Sequence, residues 1–156
     1  MIIADSTVLI TLINIDEFEI LKLFIEKVTI TNEVYNKISM QPITKKFIDK
    51  EIAKGFIAVK PYKSKQLFKE INFILDAGES SSIALALEEN LPLIIDEKKG
   101  RKFAKVQGIE VIGLVGILRY LYVEKILNYK RVKEIIEKLN RSDFRISQKL
   151  LEIILK

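Results

Sequence analysis

The chain has 156 residues, 49% of them hydrophobic, with 6 Gly and 3 Pro, which suits one folded domain and argues against disorder. It contains no Cys and no His, which excludes thiol chemistry, a Ser-His-Asp triad and Cys/His zinc sites, and fits a reducing cytoplasm. The 26 Lys+Arg against 21 Asp+Glu leave a formal charge of +5, which permits a polyanionic partner without demanding one. The N-terminus lacks a basic stretch and Asp5 interrupts its apolar run, so no signal peptide is expected. No apolar stretch approaches the roughly 18 residues of a membrane span, and no membrane association is expected.

Met1-Ile2-Ile3-Ala4 is a short, wholly apolar run that predicts a strand buried on both faces of a parallel sheet. Residues 6–14 predict a helix apolar nearly all round, hence buried, and 17–26 a second helix. Val28-Thr29-Ile30 is a β-branched strand, after which Asn32 predicts an N-cap for a helix through about Ser39. Pro42 breaks the chain before a basic amphipathic helix over 43–54, ended by Gly55. Phe56–Val59 predicts a third strand and 64–75 a helix. Asp76-Ala77-Gly78-Glu79 opens another helix, which runs to about Glu89. A strand at 92–95, a basic helix at 98–107 ended by Gly108, and a strand at 110–113 follow. The remainder predicts helices at 114–124, 129–140 and 147–155. Alternating strands and helices predict a mostly parallel sheet with helices on both faces, the C-terminal helices from about 129 packing on it.

Two acids stand at strand ends. Asp5 follows Ile2-Ile3-Ala4, and Asp96 follows Leu93-Ile94-Ile95. Open α/β sheets bind ligands beyond the carboxyl ends of their strands, so two such acids point to one acidic site. Each has an ordinary alternative. Asp5 or Ser6 caps the helix that follows, or Asp5 ligates a metal ion while the Ser6 or Thr7 hydroxyl supports it or touches substrate. Asp96 and Glu97 cap a helix with a solvated basic face, or they bind metal beside Lys98, Lys99 and Arg101, which would contact a nucleic-acid backbone. Asp76-x-x-Glu79 resembles a capping box, yet Glu79 shares the inward face of Ile83 and Leu87. Three carboxylates brought together repel, and a divalent ion removes the conflict. Such an ion can also serve phosphodiester hydrolysis in a site without His.

The ensemble resembles PIN-domain nucleases. The resemblance lies in Ile3-Ala4-Asp5-Ser6-Thr7-Val8-Leu9-Ile10, in Leu75 to Ala86 around Asp76-Ala77-Gly78-Glu79, and in Leu93-Ile94-Ile95-Asp96-Glu97-Lys98-Lys99-Gly100-Arg101. Val111 to Leu118 and Phe144-Arg145-Ile146-Ser147 resemble a PIN-like branch of archaea and bacteria. The resemblance implies a three-layer α/β/α sandwich with a central mostly parallel sheet, formed by one domain over 1–156. It implies a cytoplasmic ribonuclease using Mg²⁺ or Mn²⁺. Many relatives are VapC-like toxins that form homodimers and are silenced by a small antitoxin protein. By analogy the apolar helices at 8–13 and 114–123 offer dimer surfaces. Carried over, Asp5 matches the first acid, Glu79 the third and Asp96 the last, with Glu97 accessory. One position departs: in Val34-Tyr35-Asn36-Lys37-Ile38, Lys37 stands where the family usually has an acid. Glu33, one turn earlier, either substitutes for that acid or pairs with Lys37 as an i,i+4 salt bridge, the favoured alternative. Lys37 leaves open a catalytically weak or inactive module that binds RNA or protein. A phosphotransfer domain with Asp5 as nucleophile fits poorly, because Thr7 stands where a second Asp is usual.

Overall fold

The computed structural model describes residues 1–156 except Arg145 and Ser147. Half of the Phe144–Ser147 stretch, and the expected first residue of the last helix, therefore lie outside the described residues. The elements run β1 (Ile2–Ala4), α1 (Ser6–Asn14), α2 (Glu19–Phe24), β2 (Val28–Ile30), α3 (Asn32–Ile38), α4 (Pro42–Ala53), β3 (Ile57–Val59) and α5 (Lys65–Asn72). They continue with α6 (Ala77–Glu89), β4 (Leu93–Ile94), α7 (Lys98–Val106), β5 (Val111–Ile112), α8 (Leu114–Val123), α9 (Tyr129–Asn140) and α10 (Gln148–Leu155).

The strands form one sheet in the order β3-β2-β1-β4-β5, every pairing parallel. Central β1 aligns Ile2 with Val28 on one side and Ile3 with Leu93 on the other. Successive strand residues point to opposite faces, which is why the apolar runs are continuous rather than alternating. Ile2, Ala4 and Ile94 join a core with side chains of α1, α2, α3, α4, α8, α9 and α10. Ile3, Leu93 and Ile95 join a second core with Ile71, Ile83, Leu85 and Ala104 from α5, α6 and α7. The result is the expected α/β/α sandwich. Gly55 and Gly108 both end helices at φ 85, a conformation favouring glycine. Among the described residues no helix is long and apolar enough to cross a membrane.

The chain moves from β1 outward to β2 and β3, then returns to β4 on the opposite side of β1. The carboxyl ends of β1 and β4 therefore flank the point where the winding reverses. Connections that leave in opposite directions favour a ligand crevice at such a point. Asp5 and Asp96 follow these two strands.

Three expectations need correction. The N-cap of α3 is Thr31 rather than Asn32: its hydroxyl accepts from Val34 N–H at 3.2 Å and shares a 2.7 Å hydrogen bond with Ser81 of α6. The second helix is only Glu19–Phe24, because Glu17 is drawn inward to meet Arg131 and Lys138 of α9, and Asp16 turns at φ 58. Finally, α1 offers no broad docking face, since Val8, Leu9, Leu12 and Ile13 are all buried. On α8, Tyr120 and Val123 remain exposed.

Candidate active site

Asp5 occupies the N-cap position of α1 with extended backbone, yet its side chain makes no capping hydrogen bond. It is only 1% exposed, and neither carboxylate oxygen has a hydrogen-bond partner. The neighbouring Ser6 hydroxyl is likewise buried and unpartnered, while Thr7 is half-buried. Burial pushes the Asp5 carboxyl up to about 6. The Ser6 amide and the Lys37 charge oppose that rise, whereas Asp76 and Glu97 add to it. A simple helix cap does not describe this residue.

Glu79 sits in the first turn of α6. Asp76 caps that helix, its Oδ1 accepting from Glu79 N–H at 2.8 Å, so one half of the capping box is formed. The Glu79 carboxyl turns inward and is 6% exposed. Its oxygen lies against α7 at Gly100, where a Cβ would come within 2.8 Å of Glu79 Oε1 and 2.6 Å of Ile95 Cδ1. Glycine is needed for that close approach. Burial, a hydrogen bond with Asp76 and the charges of Asp76, Asp5 and Glu97 push Glu79 up to about 7. Asp76 moves the opposite way: burial would raise it, but the Glu79 hydrogen bonds and Lys37 hold it below the usual carboxylate range.

Lys37 reaches from the last turn of α3 to Asp76, with Nζ 3.2 Å from Oδ2. It therefore does not form the expected salt bridge with Glu33. Glu33 instead accepts a 2.8 Å hydrogen bond from the Tyr62 hydroxyl, whose ring stacks on Phe68. The packing of α3 beside α6 offers Lys37 an acid across the helix pair. A Cβ built on Gly78 would lie 3.3 Å from Asp5 Oδ1, 3.5 Å from Asp76 Oδ1 and 3.9 Å from Lys37 Cδ. These three side chains thus crowd one backbone position.

Asp96 is held differently. Leu114 N–H donates to its Oδ1 and Oδ2 at 3.3 and 3.2 Å, so it supports the start of α8 rather than α7. Burial raises its pKa, and the Leu114 amide and Arg101 limit the rise. Arg101 Nη1 donates to the Ile95 carbonyl at 2.9 Å, which fixes it beside Asp96. Gly113 leaves room for both, since a Cβ there would fall 2.2 Å from Asp96 Oδ1 and 2.7 Å from Arg101 Nη1. Glu97 makes a long 3.5 Å contact from Thr7 Oγ1. Its charge raises Asp5, Glu79 and Asp96 alike, so it links the two parts of the site.

Lys98 and Lys99 are exposed and Arg101 is half-buried. A cavity of about 430 Å³ is lined by Asp96, Lys98, Arg101, Lys102 and Lys105, so acid and cations share a groove. A cavity of about 480 Å³, lined by Tyr122, Leu127 and Tyr129 among others, contains no acid and lies apart from this chemistry.

Among the described residues no three acids stand close enough to form a finished metal cage. Like charges repel, and Asp96 and Asp76 have each taken an amide donor. The donor set still fits a hard divalent ion, because it supplies only oxygen and its deepest member, Asp5, has two desolvated, unpaired oxygens. Sequence reasoning had Asp76 only as a cap and Glu97 only as accessory. The Asp76-x-x-Glu79 spacing was the available signal for their proximity. Arg101, expected as a nucleic-acid backbone contact, also donates to the Ile95 carbonyl, flanks Asp96 and lines the groove with Lys98.

A parallel α/β/α sandwich with carboxylates at its winding reversal places acidic side chains where such folds bind ligands. The chain belongs to the PIN-domain family: residues 1–156 match DUF3368, described as a PIN domain. PIN domains are typically nucleases that bind nucleic acids and generally use divalent metal ions. No curated protein matches the chain.

Proposed function

We propose that the protein is a metal-dependent endoribonuclease in which Asp5, Glu79 and Asp96, with Glu97 accessory, hold Mg²⁺ or Mn²⁺. The observation that carries this is Asp5: a carboxylate 1% exposed, at the sheet's switch point, with both oxygens unpartnered. Burying a charge without partners is strongly unfavourable, and an oxygen-seeking cation relieves it. A bound ion would supply Lewis acidity for phosphodiester hydrolysis in a site without His.

The chain's own residues perform the other tasks. Asp5 anchors the ion. Glu79 joins Asp5 in holding it, and the ion relieves the burial and like-charge repulsion that raise the Glu79 carboxyl in its absence. Lys98 and Lys99 contact the RNA backbone, and Arg101 fixes the Ile95–Asp96 strand end. Ser6 and Thr7 lie beside the reacting region. The decisive experiment is cleavage of labelled RNA by the purified chain with and without Mn²⁺. Cleavage that requires Mn²⁺ and vanishes in Asp5→Asn is expected; full cleavage in that variant overturns the assignment.

We further infer a cytoplasmic toxin of a toxin–antitoxin pair, acting as a homodimer. The exposed Tyr120 and Val123 on α8 support such a contact. A small upstream open reading frame whose product blocks cleavage is the expected finding. The alternative is a PIN-like module that binds RNA or a protein without cutting, favoured by the Lys37–Asp76 ion pair inside the acidic cluster. RNA retention without cleavage at saturating Mn²⁺ would establish it.

A further inference from the structure

We propose that Lys98, Arg101, Lys102 and Lys105 form a backbone track for a short single strand of RNA leading away from Asp96, with Lys102 and Lys105 as substrate-positioning residues. The track rests on the RNA reading above but on no bound metal. The four cations stand at i, i+3, i+4 and i+7 of α7 and so share one face. With Asp96 they line the cavity of about 430 Å³. The opposite face holds the helix to the domain: Gly100 and Ala104 are buried, and Ala104 and Phe103 join the second core. The cations therefore border a concavity on a fixed helix.

A solvated helix face commonly interleaves acids with bases. This face does not. The first turn of α7 contains no acid, and among the described residues none of the four cations forms an ion pair. Lys22, Lys45 and Lys60, on other elements, pair with Glu51, Asp49 and Glu89. Like charges at i,i+3 and i,i+4 repel, and Lys98 and Arg101 stand near the positive end of the helix dipole, where cations are disfavoured. A polyanion in the groove offsets both costs. One phosphate would not engage the whole row. From Lys98 to Lys105 the helix rises about 10 Å. At ~3.4 Å per nucleotide of a stacked strand, that matches about three nucleotides. A cavity of this size takes a drug-sized length of one strand and is too small for a duplex. Asp96 precedes the helix, so the row begins at the acidic site and recedes from it.

The test is fluorescence anisotropy of a labelled single-stranded RNA with the intact chain, in chelator and over a range of salt. Lys102→Ala with Lys105→Ala should raise Kd about tenfold near physiological salt. It should also flatten the log Kd versus log salt slope by about 1.4, from two contacts at ~0.7 each. Lys102→Arg with Lys105→Arg should keep both near wild type. Lys46→Ala with Lys50→Ala removes the same charge from exposed positions of α4, which packs on the other core, and should change either quantity little. Circular dichroism checks folding. Equal weakening by the two alanine pairs, or unchanged binding in Lys102→Ala with Lys105→Ala, overturns the track while leaving the RNA reading standing. A duplex of the same sequence binding as tightly overturns the single-strand assignment. No RNA binding by the wild type, or displacement of the RNA by polyglutamate at equal charge, overturns the track and the RNA reading together.

Discussion

Replacing Asp5 with Asn tests the site's electrostatics without relying on turnover. Asp5 rises from 3.8 to about 6 on folding, chiefly through burial. A carboxyl raised by folding favours the native state below its unfolded pKa, and that advantage disappears as pH climbs through the folded value. The rise corresponds to about 3 kcal/mol of destabilisation above pH ~6. Asn removes the charge but buries an amide that lacks partners, at about 1–2 kcal/mol. The net gain for Asp5→Asn at pH 8 in chelator is about 1–2 kcal/mol, or roughly 3–6 °C in Tm for a chain of this size. At pH 4 the charge penalty is almost gone while the amide cost remains, so the gain should vanish or reverse. Removing the Asp5 charge also relieves Glu79, which Asp5 helps to raise, so Glu79 adds to the variant's gain at high pH with the same sign. Added Mn²⁺ should raise the Tm of the wild type and leave the variant nearly unchanged. Thermal melts by circular dichroism between pH 4 and 8 give the answer. A Tm difference independent of pH would refute the claim that Asp5 is a desolvated, unpaired charge.

Gly113→Ala should displace Asp96 and Arg101, reducing Mn²⁺-dependent cleavage about tenfold or more while lowering stability by only about 1–3 kcal/mol, read from kcat/KM and denaturant melts. Lys98→Ala with Lys99→Ala should weaken RNA binding and flatten the log Kd versus log salt slope by about 1–2, measured by fluorescence anisotropy. Glu17→Gln should destabilise by about 1–3 kcal/mol at pH 7 by leaving Arg131 and Lys138 without their buried acid, with no change in Mn²⁺ affinity. Arg131 and Lys138 overcome the burial penalty and hold Glu17 below its usual pKa, so its contribution is present above the unfolded value and is lost as pH falls through the folded one. Its pH dependence runs opposite to that of Asp5, and the same acid-to-neutral melts separate the two.

The architecture was legible because the central strands are buried on both faces, which leaves uninterrupted apolar runs ending in an acid. Glu79 was legible as an inward-facing residue from its spacing to Ile83, and Asp76 as its cap from the capping-box pattern. What was hidden depends on contacts between distant segments. Thr31 won the N-cap from Asn32 while also bonding Ser81, fifty positions away. Lys37 had Glu33 at helical spacing, but α3 packs beside α6 and brings Asp76 within reach. Glu17 looked like one more helical residue until Arg131 and Lys138 drew it inward. In each case local spacing named a reasonable partner, and tertiary packing supplied a better one.

The difference between Asp5 and Asp96 bears most directly on what the site does. Asp96 can be understood without a ligand: a backbone amide and an arginine offset its burial, and it steadies the start of α8. Asp76 likewise has an amide and a lysine. At Asp5 the Ser6 amide and the Lys37 charge only partly oppose the burial and neither carboxylate oxygen has a hydrogen-bond partner, although its N-cap position is one where Ser, Thr or Asn provides a capping oxygen without a buried charge. The helix dipole favours a negative charge there only modestly, and burial without hydrogen-bond partners costs more. A cation bound at β1's end turns that penalty into binding energy, because the ion meets a carboxylate already stripped of water. Asp5 is therefore the residue whose removal should affect metal affinity most, ahead of Asp96. Mn²⁺ titrations of Asp5→Asn and Asp96→Asn would show the order, and a larger loss in Asp96→Asn would place the anchor at β4 instead.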